Sequence, residues 1–338
     1  MPAFAQRTVS EVLSNRPGLV RVRLDDDSMA YALTALTGAV GPGDDVIVNT
    51  TAVDRGLGTG GWHVVHWNLS APPFVEPGPG HLMKLRYTSL QADTGAVEEH
   101  EPHLPTDLEG TPVVVAALHS QLPIVVAAVL DRRPATRIAY VMTDGGALPL
   151  ALSDVVADLT ARGLLAGTVT AGHAFGGDHE ALNVPSALAT ARHGLEADVI
   201  VVAMGPGVAG TASRLGFTGL DAAPALDAAA WLGGRPVACL RCSSADLRPR
   251  HLGISHHSLT VLDAVRSEVD VALVAGLERP LGDRHRWHHL TPHDPAAMLG
   301  RFGLVATSMG RGPAEDPLFF SATAAAGQLA VELLPVRS

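Results

Sequence analysis

Two short stretches of this chain gather the residue types that chemistry needs around clusters of glycine. The first is Ala171-Gly172-His173-Ala174-Phe175-Gly176-Gly177-Asp178-His179-Glu180, which follows the apolar run from Gly167 to Thr170. A histidine beside carboxylates in a concave site suits general acid–base work or the holding of a divalent metal. No His-Glu-x-x-His motif and no doubled C-x-x-C pattern occurs, so a metal is the less favoured of the two. The structural alternative makes Asp178 a turn cap and gives His173 backbone carbonyls to bond. The second stretch, Gly205-Pro206-Gly207-Val208-Ala209-Gly210, formally fits G-x-G-x-x-G after the strand-like run Ala197 to Met204. The acidic residue that completes a dinucleotide fingerprint is missing, because Asp221 and Asp227 come before the next strand at Val237. A phosphate or carboxylate cradle fits better, with Gly205, Gly207 and Gly210 offering backbone N–H groups and Thr211, Ser213 and Arg214 adding side-chain donors. Against this stands a loop whose glycines only permit tight packing.

Other candidates fall at predicted strand ends. Asp144-Gly145-Gly146 follows Ile138 to Met142, and His119-Ser120 follows Val113 to Leu118. In a parallel sheet these ends share one rim, with Gly176 and Gly177 of the first stretch, and Asn183 just after it, beside them. Ser153 is placed to cap a helix rather than to react. The loop Arg248 to His257 packs two arginines, three histidines and a serine ahead of a helix near Leu259. Ser255 is expected to cap that helix and His256 to close the pocket, while arginine forks suit carboxylates and phosphates. His285, His288, His289 and His293 read as a solvated surface or interface in an irregular region, with a metal role the less favoured alternative. Cys239 and Cys242 have redox spacing but sit on a predicted strand, where residues three apart face opposite sides, so reduced structural thiols are expected.

The elements that must carry these residues fall into two kinds. Up to Leu69 the pattern is short alternating segments, Leu19 to Leu24, Ala30 to Leu36, Asp45 to Thr50 and Trp62 to Trp67, which predicts a small β-barrel or strongly curved sheet. A Pro- and Gly-rich stretch from Ser70 to Gly80 reads as a linker, followed by a segment expected to cross the next module. From Thr111 onward aliphatic strands alternate with helices, which predicts a mostly parallel, doubly wound α/β sheet. The expected division is residues 1–70 for the β module, 71–110 for the linker and crossing segment, and 111–338 for an α/β ligand-binding domain ending in a helix near Leu318 to Leu334.

Bulk composition removes several function classes. At 338 residues, 47% hydrophobic and 17% charged, the chain has enough apolar content for a folded core. A formal net charge of -10 and a single lysine, Lys84, argue against a nucleic-acid partner. Met1 to Gln6 lack a basic region and apolar stretch, so a cytoplasmic setting is expected. Apolar runs such as Ile124 to Leu130 fall short of the roughly 20 residues a membrane-spanning helix needs, so no membrane partner is expected. No nucleophile elbow, Walker or kinase motif occurs. The alanine-rich end, with Ala324 to Ala326, is compatible with a homodimer.

Several strings together are similar to those of one bacterial family. Lys84-Leu-Arg-Tyr-Thr-Ser-Leu-Gln91, Leu118-His-Ser-Gln-Leu-Pro123, Tyr140-Val-Met-Thr-Asp-Gly-Gly-Ala-Leu-Pro-Leu150, Ala171 to Gly177, Asn183-Val-Pro-Ser186, Gly205-Pro-Gly207, Gly216-Phe-Thr-Gly219 and Ser255-His-His257 resemble the family called domain of unknown function 3866. The resemblance covers nearly the whole chain and implies a shared architecture, including the β module. It implies no reaction, cofactor or catalytic residue.

The expectation drawn from the residues is an α/β protein that binds a small anionic metabolite, phosphorylated or nucleotide-like, and acts on it by hydrolysis or group transfer. Gly205, Gly207, Gly210, Thr211 and Arg214 would hold the anion, Asp144, His173 and Asp178 would handle protons or a divalent metal, and His256 would close the site. The alternative is a non-catalytic ligand sensor or assembly factor using the same cleft.

Overall fold

The computed structural model describes residues 1–58, 60–72, 78–280 and 282–335. They form two compact units, Met1–Gly95 and Ala96–Ser338. The segment 71–110 expected to be a linker is thus divided between them, and residues 73–77 at its centre lie outside the described residues.

The first unit is a closed barrel of five strands, β1 (Phe4–Arg16), β2 (Leu19–Leu24), β3 (Met29–Leu33), β4 (Asp45–Asn49) and β5 (Trp62–Asn68). Going round it the order is β1, β2, β3, β5, β4, with only β3 and β5 parallel. Period-two alternation builds it: Val20, Val22 and Leu24 point into a small core with Val46 and Val48. Arg21 and Arg23 take the opposite face. Closure leaves no open edge to pair with other chains.

The second unit holds an eight-stranded, all-parallel sheet. Its strands are β6 (Pro112–Ala116), β7 (Ile138–Thr143), β8 (Gly167–Ala171), β9 (His179–Ala181), β10 (Val199–Met204), β11 (Arg235–Cys239), β12 (Asp270–Leu273) and β13 (Arg286–His289). Their order across the sheet is β9, β8, β7, β10, β6, β11, β12, β13. Every residue of β6, β7 and β10 is buried, as expected of strands covered on both faces. The covering helices are α1 (Leu122–Arg132), α2 (Asp154–Ala161), α3 (Val184–Ala189), α4 (Ala222–Trp231), α5 (His256–Ala264), α6 (Pro295–Arg301) and α7 (Pro317–Glu332). Among the described residues no helix is long and apolar enough to cross a membrane.

The run Ala324 to Ala326 faces inward. It belongs to α7, which packs on α1 so closely that a methyl group on Gly327 would come within 2.8 Å of Ala128 Cβ. The small residues therefore serve a helix–helix contact within the chain. Cys239 and Cys242 are reduced and buried, on β11 and on a short ladder pairing Cys242–Ser243 with Gly253–Ile254. Burial pushes the Cys239 thiol up to about 12 and the Cys242 thiol higher still, so neither supplies a thiolate at neutral pH.

One region differs from the sequence reading. The stretch from 285 to 293 is not an irregular histidine-rich surface, because residues 286–289 form β13 beside β12. His285 is buried against the Leu262 carbonyl at 3.0 Å, His288 bonds Asp270 at 2.8 Å, and His293 pairs with Asp131 at 2.5 Å. Each of these three histidines answers a separate partner.

Candidate functional site

Strand order decides where the second unit can hold a ligand. The chain leaves β6 for β7, passing over β10, and leaves β10 for β11, passing over β6. Neighbouring strands whose connections depart in opposite directions leave a crevice beyond their carboxyl ends. A cavity of about 450 Å³ lies there. The β6 end contributes Leu118, His119 and Ser120, the β10 end Pro206, Gly207, Val208, Gly210 and Thr211, and the β11 side Arg241, Arg248, Arg250, His251 and His257. Residues 305–309 complete the wall.

The charge of this lining is one-sided: three arginines and no carboxylate. Arg241 is only 7% exposed, and burial lowers its pKa, so its charge is held at a cost. Asp246, just behind, accepts from Arg241 Nη2 at 3.3 Å and forms a two-pronged pair with Arg248, both contacts at 2.9 Å. The Arg248 hydrogen bonds hold the Asp246 carboxyl far below the usual range. Asp316, also buried, is occupied by Ser243 Oγ, the Ser244 N–H and Arg311. Arg250 is exposed and makes no ion pair among the described residues, so its fork is available to the crevice.

The histidines lining the crevice are neutral. Burial first, then the neighbouring arginines, pushes His251 down to about 4. Burial, His256 and Arg241 push His257 to about 3. The His257 ring stacks on Phe217, centroids 3.8 Å apart and planes 4° apart, and Phe217 in turn packs against Gly210. Ser255 caps α5, accepting from the His257 N–H at 3.2 Å, and its Oγ meets His251 Nδ1 at 2.7 Å.

His119 forms the opposite wall with both ring nitrogens committed. Its Nδ1 lies 3.0 Å from the Met204 carbonyl, which can only accept, so Nδ1 carries the proton. Nε2 must then accept from Ser153 Oγ at 2.7 Å, while that same Oγ accepts from the Val156 N–H as the cap of α2. Burial pushes His119 down to about 4. This histidine joins β6, β10 and α2, and is no free base.

The other sequence-predicted residues scatter around this crevice. Asp144 and His173 do meet, at the ends of the adjacent strands β7 and β8, where Asp144 accepts the His173 N–H at 2.9 Å. Burial and the Asp144 charge together raise the pKa of Asp221, so these two carboxylates face each other. Neither Asp144 nor His173 lines the cavity. Asp178 is not on this rim. Because β9 runs parallel to β8, the chain must first return to the amino edge, and there Asp178 accepts from the N–H and hydroxyl of Thr168 at 2.8 and 2.9 Å. Thr168 lies three residues before the end of β8, so Asp178 is roughly 10 Å below the rim.

Gly176 and Gly177 bond Glu180 and Thr170 within their own turn, and Asn183 caps α3 beside the edge strand. Gly145 and Gly205 serve close packing: a methyl on Gly145 would lie 2.9 Å from the side-chain Oδ2 of Asp221, and one on Gly205 would lie 2.2 Å from the backbone carbonyl oxygen of Ala147. Arg214 pairs with Asp263 and does not line the cavity. His256 lies behind His251 and His257 and is not part of the lining. Of the expected set, His119, Ser120, Gly207, Gly210 and Thr211 line the crevice.

Sequence reasoning passed over Arg241, which ends an apolar strand, and residues 305–309, which carry no motif. Arg248, Arg250, His251 and His257 stood inside the arginine- and histidine-dense loop, so residue density was the signal that pointed to them. No curated protein matches this chain. The sequence model of the family described as "Protein of unknown function (DUF3866)" matches residues 29–327, from β3 of the barrel through the larger unit into α7, and the chain belongs to that family.

Proposed function

We propose that the crevice beyond β10, β6 and β11 binds a small anionic metabolite, phosphorylated or nucleotide-like, and acts on it by hydrolysis or group transfer. The observation that carries the reading is a lining with three arginines and no carboxylate, in a cavity large enough for a metabolite of modest size. Arginine forks match phosphate and carboxylate oxygens in pairs, and partial burial strengthens each such bond. The open backbone at Gly207 adds an N–H group at the same mouth. Redox chemistry through the cysteines is disfavoured by their raised pKa values.

Thermal unfolding with inorganic phosphate, pyrophosphate and a panel of phosphorylated metabolites tests the reading. At least one should raise the unfolding temperature, and Arg250→Ala should weaken that ligand by about tenfold to a hundredfold, the range for losing one charge-assisted bond. Arg214→Ala, on a residue outside the cavity, should leave the affinity unchanged. A panel without any shift, or equal losses in both variants, would reject the site.

A further inference from the structure

Three imidazoles cluster at one side of the crevice: His251, at the end of the turn Pro249–His251, and His257, in the first turn of α5, line it, and His256 of the same turn lies against them outside the lining. One ring nitrogen from each lies within 4.8 Å of the other two. His251 Nδ1 is engaged by Ser255 Oγ, which leaves its Nε2. The Nε2 atoms of His256 and His257 are buried and have no hydrogen-bond partner among the described residues. An orphaned buried ring nitrogen costs about 1–3 kcal/mol, and here two of them belong to rings in one tight cluster. A group bound between them would remove that cost.

We propose that His251, His256 and His257 together bind one divalent transition-metal ion of the zinc class, with its remaining coordination positions open toward the crevice. Imidazole nitrogen suits zinc, iron, cobalt and nickel, and three protein ligands plus an open position is the pattern of a reactive rather than a purely structural ion. Metal–nitrogen bonds of about 2.1 Å put tetrahedral ligand atoms about 3.4 Å apart, so the rings need only modest rotations to close on an ion. Ser255 supplies the outer hydrogen bond that orients a ligating imidazole. Arg241 Nη1 approaches His257 Nδ1 only at 3.5 Å, a contact too long to fix which nitrogen carries the proton. Arg241, Arg248 and Arg250 repel a cation, and Asp246 behind them offsets part of that repulsion. An ion here would also give the neighbouring anion site a metal-bound water as nucleophile.

The full-length chain, stripped of metal by chelation and free of phosphate, is titrated with zinc by equilibrium dialysis and with cobalt by visible absorption. The expected result is one ion per chain with a ligand-field band of low coordination number. His256→Ala, at a half-buried position where folding is checked by circular dichroism, should weaken binding at least tenfold and abolish the band, and His257→Gln should do the same. His289→Ala, on the exposed end of β13, should change nothing. Absence of a stoichiometric ion, or full retention in His256→Ala, would overturn the proposal. Because no anion is present, the result is independent of the anion reading.

Discussion

Gly205→Ala should destabilise the protein by about 3 kcal/mol or more while leaving it chemically almost unchanged. The added methyl would sit 2.2 Å from the carbonyl oxygen of Ala147 and within 3.3 Å of its carbonyl carbon and nitrogen. All three are backbone atoms with no rotamer to escape into. The contact is reciprocal, since a methyl on Gly146 would lie 2.2 Å from the Gly205 oxygen, and the Ala147 N–H donates to the Pro206 carbonyl at 2.7 Å. The loops after β7 and β10 are thus zipped together backbone to backbone, and this seam holds one lip of the crevice. Urea denaturation is the measurement, with Gly207→Ala as comparison. Gly207 has open space around it but a φ of +95°, so its substitution should cost only about 1–2 kcal/mol, from conformation alone. Equal, small losses at both positions would mean that the seam is looser than described.

That contrast also explains what the sequence could and could not say about its glycines. Gly205 and Gly207 look equivalent in a G-x-G-x-x-G string, yet one is required by the backbone of Ala147 in a much earlier loop and the other opens onto the crevice. Nothing local distinguishes them. The same limit applies to Asp178, which spacing alone, in the string from Gly172 to Glu180, would put at the rim with His173. The parallel pairing of β8 with β9 forces the chain to double back between these two residues, and their separation is a property of topology rather than of spacing. Where periodicity and topology agree, the sequence was informative. Val20, Val22 and Leu24 announced the barrel, and unbroken aliphatic runs such as Val199–Met204 announced a sheet covered on both sides.

Short strands were less visible. Asp270–Leu273 is four residues long, and β13 is composed of Arg286, Trp287, His288 and His289, which no strand pattern would pick out. It is held instead by Asp270, fully buried and bonded to both Arg286 and His288. In the crevice, the arginine- and histidine-rich loop stood out for its density, whereas Arg241 was hidden by the apolar strand it terminates. Its partner Asp246 then bridges it to Arg248, so the cationic wall is assembled by a carboxylate that does not itself line the crevice.

Acid should unfold this protein earlier than its carboxylates alone would dictate, and three histidines give the reason. His119 and His251 are pushed down to about 4 and His257 to about 3, against an ordinary value of 6.5 in the unfolded chain. Between pH 6.5 and about 4 the unfolded chain therefore binds protons that the folded protein refuses, and stability must rise with pH across that window. The contribution is complete above pH 6.5 and is lost as pH falls toward 4, with His257 extending the loss to about pH 3. Asp246 acts in the same sense but over a lower window. Its depressed value stabilises the fold above the ordinary carboxylate pKa and is lost only below that range, so it does not contribute in the upper part of the window. A tenfold change in a group's proton affinity on folding is worth about 1.4 kcal/mol, so metal-free protein should lose at least about 2 kcal/mol between pH 7 and pH 4.5. Urea midpoints at a series of pH values measure the slope. His251→Gln should lower stability at pH 7, where Ser255 loses its ring partner, and should flatten the curve below pH 6.5. A wild-type midpoint that stays level from pH 7 to pH 4.5 would show that these imidazoles are solvated and able to take protons, and the crevice wall would then have to be more open than its packing implies.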